Sequence, residues 1–410
     1  MKRSALLPVF LIVFVGVLGF TIVFPLLPFF AERFGATPLV ATLLASSYAL
    51  CSLISTPIIG RLSDQFGRRR LLLVSQAGTC GGLIMIGLSR HLWMVFLGRI
   101  IDGLTAGNLA LAQAYISDHT EPQHRTRAFG VIGMAFGLGF FIGPAISGWL
   151  GDYGLHVPFM AAAGLSAAAM VLTRVLLEPD GAGPAVRRKP RAGLFDIAIY
   201  TEYLGRRGVG AVYLLSFLFA FTFSSYMSGF ALFAERRFTT ADGHAWSSHE
   251  VGFLFAYAGC VGIVLQGGLL GRLVKRFGEA RLATAGLVAA MTGYLTLGLA
   301  QTLFALVAVA TLVAFSNGVL RPVITSEITR RFERHEQGIA LGIANSINSL
   351  AMMLAPPTGG SLLERGWLVG WTLVPATTAT LGLGIALWRR AIQAESAGKT
   401  PTRAPGHESS

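Results

Sequence analysis

Along the chain, long apolar runs alternate with short clusters of charge, glycine and proline. A membrane-crossing helix needs about 20 predominantly apolar residues. Twelve runs meet that need, approximately Leu6–Phe30, Pro38–Ile59, Leu71–Ser89, Leu92–Ser117, Arg127–Leu150, Leu155–Leu177, Val209–Phe233, Glu250–Leu270, Arg281–Ala300, Thr302–Ile328, Gly338–Leu363 and Trp367–Trp388. They predict an all-α membrane protein with twelve transmembrane helices, numbered here as spans 1 to 12. The first run starts just after Lys2 and Arg3 and lacks a small-x-small cleavage pattern, so it reads as a retained span.

The runs repeat. Gly60-Arg61-Leu62 recurs as Gly271-Arg272-Leu273, Phe66-Gly67 as Phe277-Gly278 and Arg70 as Arg281, all 211 residues on, while Pro144, Gly148 and Leu150 recur 212 residues on as Pro356, Gly360 and Leu362. A nearly constant offset predicts two pseudo-symmetric six-helix halves, residues 1–178 and 208–390, with a cytoplasmic linker at 179–207 and a disordered cytoplasmic tail at 391–410. Parallel halves around a midplane site are typical of secondary transporters.

Composition agrees with this pattern. Charged residues are 13% of the chain, against about 25% in soluble domains, hydrophobic residues are 53%, and mean hydropathy is +0.62. So few charges cannot cover a soluble protein of 410 residues, which excludes most soluble-enzyme readings. The net charge of +13 would suit nucleic acid, but its placement reports topology instead. With both termini cytoplasmic, 26 of the 33 Lys and Arg lie in inside segments, five (Arg33, Arg90, Arg236, Arg237 and Arg365) lie outside, and Arg99 and Arg321 lie within spans. Cys51, Cys80 and Cys260 sit in apolar runs with no His or Asp at ligand spacing, giving neither a disulfide framework nor a metal site. No nucleotide-binding loop is present, so ATP drive and cofactors are not expected.

The loop after span 2 reads Gly60-Arg-Leu62-Ser63-Asp64-Gln-Phe66-Gly67-Arg68-Arg69-Arg70. Its glycines allow a tight turn, and Asp64 and the arginines can form a charge-assisted network. Span 5 reads Gly139-Phe-Phe-Ile-Gly143-Pro144-Ala-Ile-Ser147-Gly148, small residues at i, i+4 that permit close helix approach, with a proline that interrupts the ladder. The first motif resembles the cytoplasmic signature of the major facilitator superfamily, G-x-L-x-D-x-x-G-R-[RK]. The second resembles the drug:proton antiporter motif G-x-x-x-G-P-x-x-G-G, with Ser147 in place of one glycine. Together with Phe24-Pro25-Leu26-Leu27-Pro28 and Gly98-Arg99-Ile-Ile-Asp102-Gly103, the whole chain resembles the tetracycline-efflux-like branch. The resemblance implies the major facilitator fold and a cytoplasmic latch that holds an outward-facing state, with Asp64 at the start of span 11 and an arginine on an acid ending span 4, where Asp118 stands. Tetracycline exporters carry membrane acids where this chain has Gly16, Gly82 and Ala290, which argues against tetracycline itself.

Only Arg99, Asp102 and Arg321 are charges well inside spans. Each costs about 2.5–3.5 kcal/mol even on lenient insertion scales, so each is a functional candidate. Arg99 and Asp102 share a helix face, and at 100° per residue Gln113 returns to that face. Arg99 stabilises the charged form of Asp102 and desolvation the neutral form, which suits a proton carrier; a permanent brace of span 4 is the alternative, and Glu327 is the next carrier candidate, or a solvated residue. Arg321 can bind an anion, repel a proton from its carrier or brace the bundle. Asn108 reads as interhelical packing. The aromatics of span 7 suit lipid contact or packing, or an adaptable pocket that includes Tyr226, with Gln266 and Asn345.

The expected function is proton-coupled export of a small amphipathic compound by alternating access, without enzymatic activity. The expected partners are the substrate, protons and the lipid bilayer, with no nucleic acid or nucleotide, and a monomer in a bacterial plasma membrane. Rival readings are a proton symporter or organic-anion carrier of the same fold, and a non-transporting membrane sensor.

Overall fold

The computed structural model describes residues 6–119, 125–177, 197–206, 208–240, 242–333 and 336–398. Among the described residues, ten helices are long and apolar enough to cross a bilayer, and the shorter apolar helices Leu7–Val23 and Gly137–Gly151 fall in spans 1 and 5. Several predicted runs form single helices: span 2 is Pro38–Phe66, span 3 Arg68–Gly87, span 7 Val209–Arg237, span 10 Leu303–Arg330 and span 11 Gln337–Glu364.

Three runs are interrupted. Span 1 is Leu6–Val23 followed, after a turn at Phe24-Pro25-Leu26, by the short helix Leu27–Glu32. Span 4 breaks between Leu92–Leu104 and Asn108–His119. Span 8 runs Ser248–Val264, loosens into a π-turn at Leu265–Leu269 around Gly267-Gly268, and resumes as Leu270–Phe277. Such turns mark functional positions in helices.

The helices extend into segments read as linker and tail. Ile197–Gly205 is helical, and the adjacent Arg206 binds Glu336 at 2.8 and 3.0 Å while lying over Tyr203 and Phe332. The remainder of the linker, including Arg187 to Arg191, lies outside the described residues. Span 12 continues from Leu368 to Gly398, beyond the predicted boundary at 390. Its exit is held by Arg389 on Glu327 and Arg390 on Thr284 (3.0 Å), and the following Ala, Gln and Glu residues favour helix.

The repeat has a backbone counterpart. Gly67 (φ 97°, ψ 148°) ends span 2 and starts span 3, and Gly278 (φ 77°, ψ 155°) does the same between spans 8 and 9. Residues with a Cβ rarely adopt that conformation, which gives a physical reason for the recurrent Phe-Gly.

Spans 5 and 8 pack against each other, as do spans 2 and 11, and these two pairs join the halves. The end of the bundle that carries the Asp64 loop is called here the motif end, and the opposite end the far end. At the far end one apolar core draws on both halves, with Leu26, Phe30 and Phe159 of the first and Phe230, Phe233 and Trp371 of the second. Towards the motif end the core splits. One cluster, including Val9, Leu72 and Leu111, belongs only to the first half, and another, including Val212, Leu320 and Ile343, only to the second. Among the described residues the apolar core is therefore shared by both halves at the far end and separate in each half towards the motif end.

Candidate functional site

The break in span 4 builds the most polar place inside the first half. Interrupting a helix frees carbonyls that lipid cannot satisfy, and here neighbouring hydroxyls take over. Ser55 donates to the Gly103 carbonyl at 2.7 Å, Thr56 to that of Ala106 at 2.8 Å, and Ser75 to that of Thr105, while the Gly107 N–H donates back to Ser75 Oγ at 2.9 Å.

Arg99 and Asp102 lie just before this break, 2% and 6% exposed, and pair at 3.1 Å. Thr79 hydrogen-bonds Asp102, Asn108 Nδ2 donates to Thr79 Oγ1 at 3.4 Å, and the Tyr48 ring lies 4.4 Å from the Arg99 guanidinium. Asn108 thus packs between helices as expected and also extends the polar chain to Asp102. Arg99 Nε is buried with no acceptor among the described residues. Spans 3 and 4 touch here through Gly82 and Gly98: a Cβ on Gly82 would stand 2.6 Å from the Gly98 carbonyl and 3.2 Å from Asp102 Cβ. An acid at position 82 therefore has no room.

The interrupted helix corrects one sequence inference. The regular 100° step that placed Gln113 on the Arg99–Asp102 face does not carry across Thr105-Ala106-Gly107, because those residues leave the helical register. Gln113 sits half-buried in the second segment.

The span 5 motif is a double seam. On one side Gly139 and Gly143 admit span 1: a Cβ on Gly139 would meet Val17 Cγ1 at 2.6 Å, and one on Gly143 would run into Thr21. Thr21 donates to the Gly139 carbonyl at 2.8 Å, and Ser147, fully buried where the motif has glycine, donates to Ile22 O at 2.6 Å. On the other side Pro144 and Gly148 meet span 8, where a Cβ on Gly252 would lie 2.6 Å from the Pro144 carbonyl and 2.8 Å from Gly148 Cα. Nearer the motif end the seam opens: Gly137 reaches only a side chain of Ile263 at 3.9 Å, and Gly262, Gly267 and Gly268 have nothing within 4 Å of a built Cβ.

At the motif end, Arg68 is buried and binds Asp64, Ser63 and, at 3.4 Å, the Gly60 carbonyl, and Arg69 donates to the Arg174 carbonyl at the end of span 6. A Cβ on Gly60, or on Gly342 early in span 11, would meet nothing within 4 Å. The Asp64–Arg68 pair thus lies within the loop in this conformation. The side chain of Asp118 lies outside the described residues. Asp64→Asn and Arg68→Ala are expected to slow turnover by about an order of magnitude, ~1.4 kcal/mol of altered state balance, with expression and substrate binding little changed. Turnover measured at matched protein levels checks this, and wild-type rates in both variants would remove the latch role.

The residues predicted to line the cavity are dispersed. Arg321 is exposed in span 10 with its guanidinium 5.9 Å from the Phe223 ring of span 7. Gln266 is exposed on the π-turn of span 8, and Asn345 is exposed on span 11. Tyr226 is 3% exposed and packed among Phe230, Phe255, Tyr294 and Trp371, inside the far-end core. Glu327 is partly exposed and held: it binds Arg331 at 3.2 Å and Arg389, tying span 10 to span 12.

Sequence reading missed Tyr48, Thr79, Ser55, Thr56 and Ser75, whose roles depend on which helix each meets. The only signal was hydroxyl residues recurring within apolar spans 2 and 3. It also missed the far-end closure, where Arg236 of span 7 binds Glu32 after span 1 at 2.5 Å and His249 of span 8 binds Asp152 after span 5 at 2.8 Å.

A bundle of two repeated six-helix halves, closed at one end and holding a buried ion pair beside a broken helix, defines a membrane transporter of the alternating-access type. The family profile described as Major Facilitator Superfamily matches residues 9–239 and 212–409, and the chain belongs to that superfamily. Among curated relatives it is 30% identical over 384 residues to the class G tetracycline resistance protein of Vibrio anguillarum, covering 90% of this chain and 94% of that protein. It is 31% identical to the class D tetracycline resistance protein of Salmonella ordonez, covering 87% and 91%, and 26% identical to multidrug resistance protein 2 of Bacillus subtilis (strain 168), covering 86% and 87%. Among solved structures, the human organic anion transporter MFSD10 (TETRAN) superposes with a TM-score of 0.72 at 22% identity over 94% of this chain and 99% of that one. Nucleoside transporter NupG gives 0.73 at 12% identity over 95% and 99%. The fold and family are those of transport rather than catalysis.

Proposed function

We propose that the protein is a proton-coupled exporter of small amphipathic compounds, a monomer in the bacterial plasma membrane with the motif end and both termini in the cytoplasm. The observation that carries the reading is the buried Arg99–Asp102 pair next to an interrupted helix, in a bundle whose apolar core is shared by the halves at one end and separate at the other. With the arginine-rich motif end inside, the end held by the shared core faces outward and substrate enters from the cytoplasm. Relatives named for tetracycline and multidrug resistance support the direction of transport. A membrane potential of about 150 mV supplies roughly 3.5 kcal/mol per charge, so one coupled proton can sustain a gradient of a few hundredfold.

In everted vesicles carrying a pH-gradient dye, an amphipathic substrate is expected to collapse part of the proton gradient while accumulating inside the vesicles. Tetracycline is expected to be a weak substrate, because positions 16 and 290 are uncharged and Gly82 leaves no space for a carboxylate. Substrate entering the cell together with protons, with no counterflow in everted vesicles, would establish symport and overturn the reading.

A further inference from the structure

The charges of the membrane region are unequally provided for. Arg99 has Asp102, while Arg330 and Arg331 at the end of span 10 have Glu279 and Glu327, and Arg389 shares Glu327. Arg321 has no carboxylate within ion-pair distance among the described residues, and its guanidinium has only the Phe223 face. It lies within span 10, and it is exposed beside the Phe223 ring, where spans 5 and 7 meet through Phe140. An unpaired guanidinium within a span is costly and is retained where it meets an anion or a cavity.

Its surroundings describe the rest of a ligand. Phe223 stacks on Phe219 (6.5 Å between centroids, 18° between planes) and meets Phe140 of span 5 edge-on at 6.4 Å, so this wall joins the two halves. One turn before Arg321, Gly318 leaves space that Leu265 fills, and Leu265 opens the π-turn that carries the exposed amide of Gln266. The one carboxylate deep within a described span, Asp102, is buried and already paired, which leaves no counter-charge for a cation.

We propose that Arg321, with Phe223 and Phe140 as an apolar wall, forms a substrate site for aromatic organic anions such as carboxylates. This rests on the exporter reading and names its substrate class. The guanidinium binds the anionic group by charge-assisted hydrogen bonds, the rings take the flat apolar body, and a cation of the same shape is refused by repulsion from Arg321. Because one part of the wall belongs to each half, a bound anion also touches both moving bodies.

The test uses full-length protein in lipid nanodiscs and three isosteric probes, 1-naphthoate, 1-naphthamide and 1-naphthylmethylammonium, with dissociation constants measured calorimetrically at pH 7. The wild type is expected to bind naphthoate at least tenfold more tightly than the ammonium compound. Arg321→Gln should abolish that preference, Arg321→Lys should keep most of it, and Phe223→Leu should weaken naphthoate more than cyclohexanecarboxylate. If Arg321→Gln does not fold, the wild-type ranking still decides. Tighter binding of the cation or the amide overturns the site, as does an anion preference that survives Arg321→Gln. Proton movement in everted vesicles is scored separately: a normal anion preference without proton-driven transport sinks the exporter reading and leaves the site, while proton-driven export of cations without anion preference does the reverse.

Discussion

Asp102→Asn is expected to bind substrate normally, to lose proton-driven accumulation by two orders of magnitude or more, and to retain downhill exchange. The expectation follows from the site. Asp102 is the one carboxylate in the interior of a described span, it pairs with Arg99 at 3.1 Å, and Thr79 and Asn108 extend its hydrogen-bond chain to the break in span 4. In the conformation described it is buried, with spans 3 and 4 in close approach beside it at Gly82 and Gly98. The break supplies a place where the second part of span 4 can turn relative to the first. Such a turn would carry Asn108 away from Thr79 and admit solvent or substrate that draws Arg99 off, and a desolvated carboxylate without its arginine takes up a proton. Restoring the pair releases it.

The alternative, a permanent brace, gives a different result. Removing one partner of a buried pair leaves the other uncompensated at a cost of about 3–5 kcal/mol, so a brace predicts that Asp102→Asn loses thermal stability and all transport modes together. Uphill and downhill transport, read beside the melting temperature of purified protein, separate the two. Wild-type accumulation with an unchanged pH profile would move the carrier elsewhere; Glu327 is the next candidate, though its ion pairs with Arg331 and Arg389 fit a brace between spans better than a carrier.

Gly252→Leu is expected to prevent closure of the far end and to abolish transport. A Cβ there stands 2.6 Å from the Pro144 carbonyl and 2.8 and 2.9 Å from Gly148 Cα and N, all backbone, so no rotamer change relieves it. Overpacking of this kind costs about 1–3 kcal/mol, enough to shift a two-state balance by roughly five- to 150-fold. Gly259, whose Cβ would meet Phe141 Cα at 2.5 Å, should behave alike when enlarged. A cysteine at Ser228, buried at 4% between the halves near Leu27 and Ala45, reports the outcome: it should label from outside at least tenfold faster in Gly252→Leu than in the parent. Equal labelling with wild-type turnover would show that the seam yields elsewhere.

The two expectations differ in how they became legible. The pattern of Gly139, Gly143, Pro144 and Gly148 was visible in the sequence, because close helix approach in a membrane needs small residues at one-turn spacing whatever the partner. Which helix each residue admits was not. Gly139 and Gly143 admit span 1, Pro144 and Gly148 admit span 8, and the complementary Gly252 and Gly259 lie more than a hundred residues away. Ser147 looked like a departure from the motif, and in the structure its hydroxyl takes the otherwise free Ile22 carbonyl as acceptor.

The sequence by itself determined the spans and the two repeated halves, because a bilayer admits only long apolar helices with internally satisfied backbones and because the duplicated loops keep one offset. It also singled out Arg99, Asp102 and Arg321, since a charge in hydrocarbon is too costly to be incidental. Only the tertiary structure decided that span 4 breaks at Thr105-Ala106-Gly107, because that break is stable only where Ser55, Thr56 and Ser75 from two other helices supply its hydrogen bonds. It likewise decided that Asp102 is paired while Arg321 has no carboxylate partner among the described residues, that Tyr226 belongs to a core rather than a cavity, and that Arg236 and His249 close the far end on Glu32 and Asp152. Each of these depends on which distant residue fills the space opposite, and spacing along one chain carries no such information.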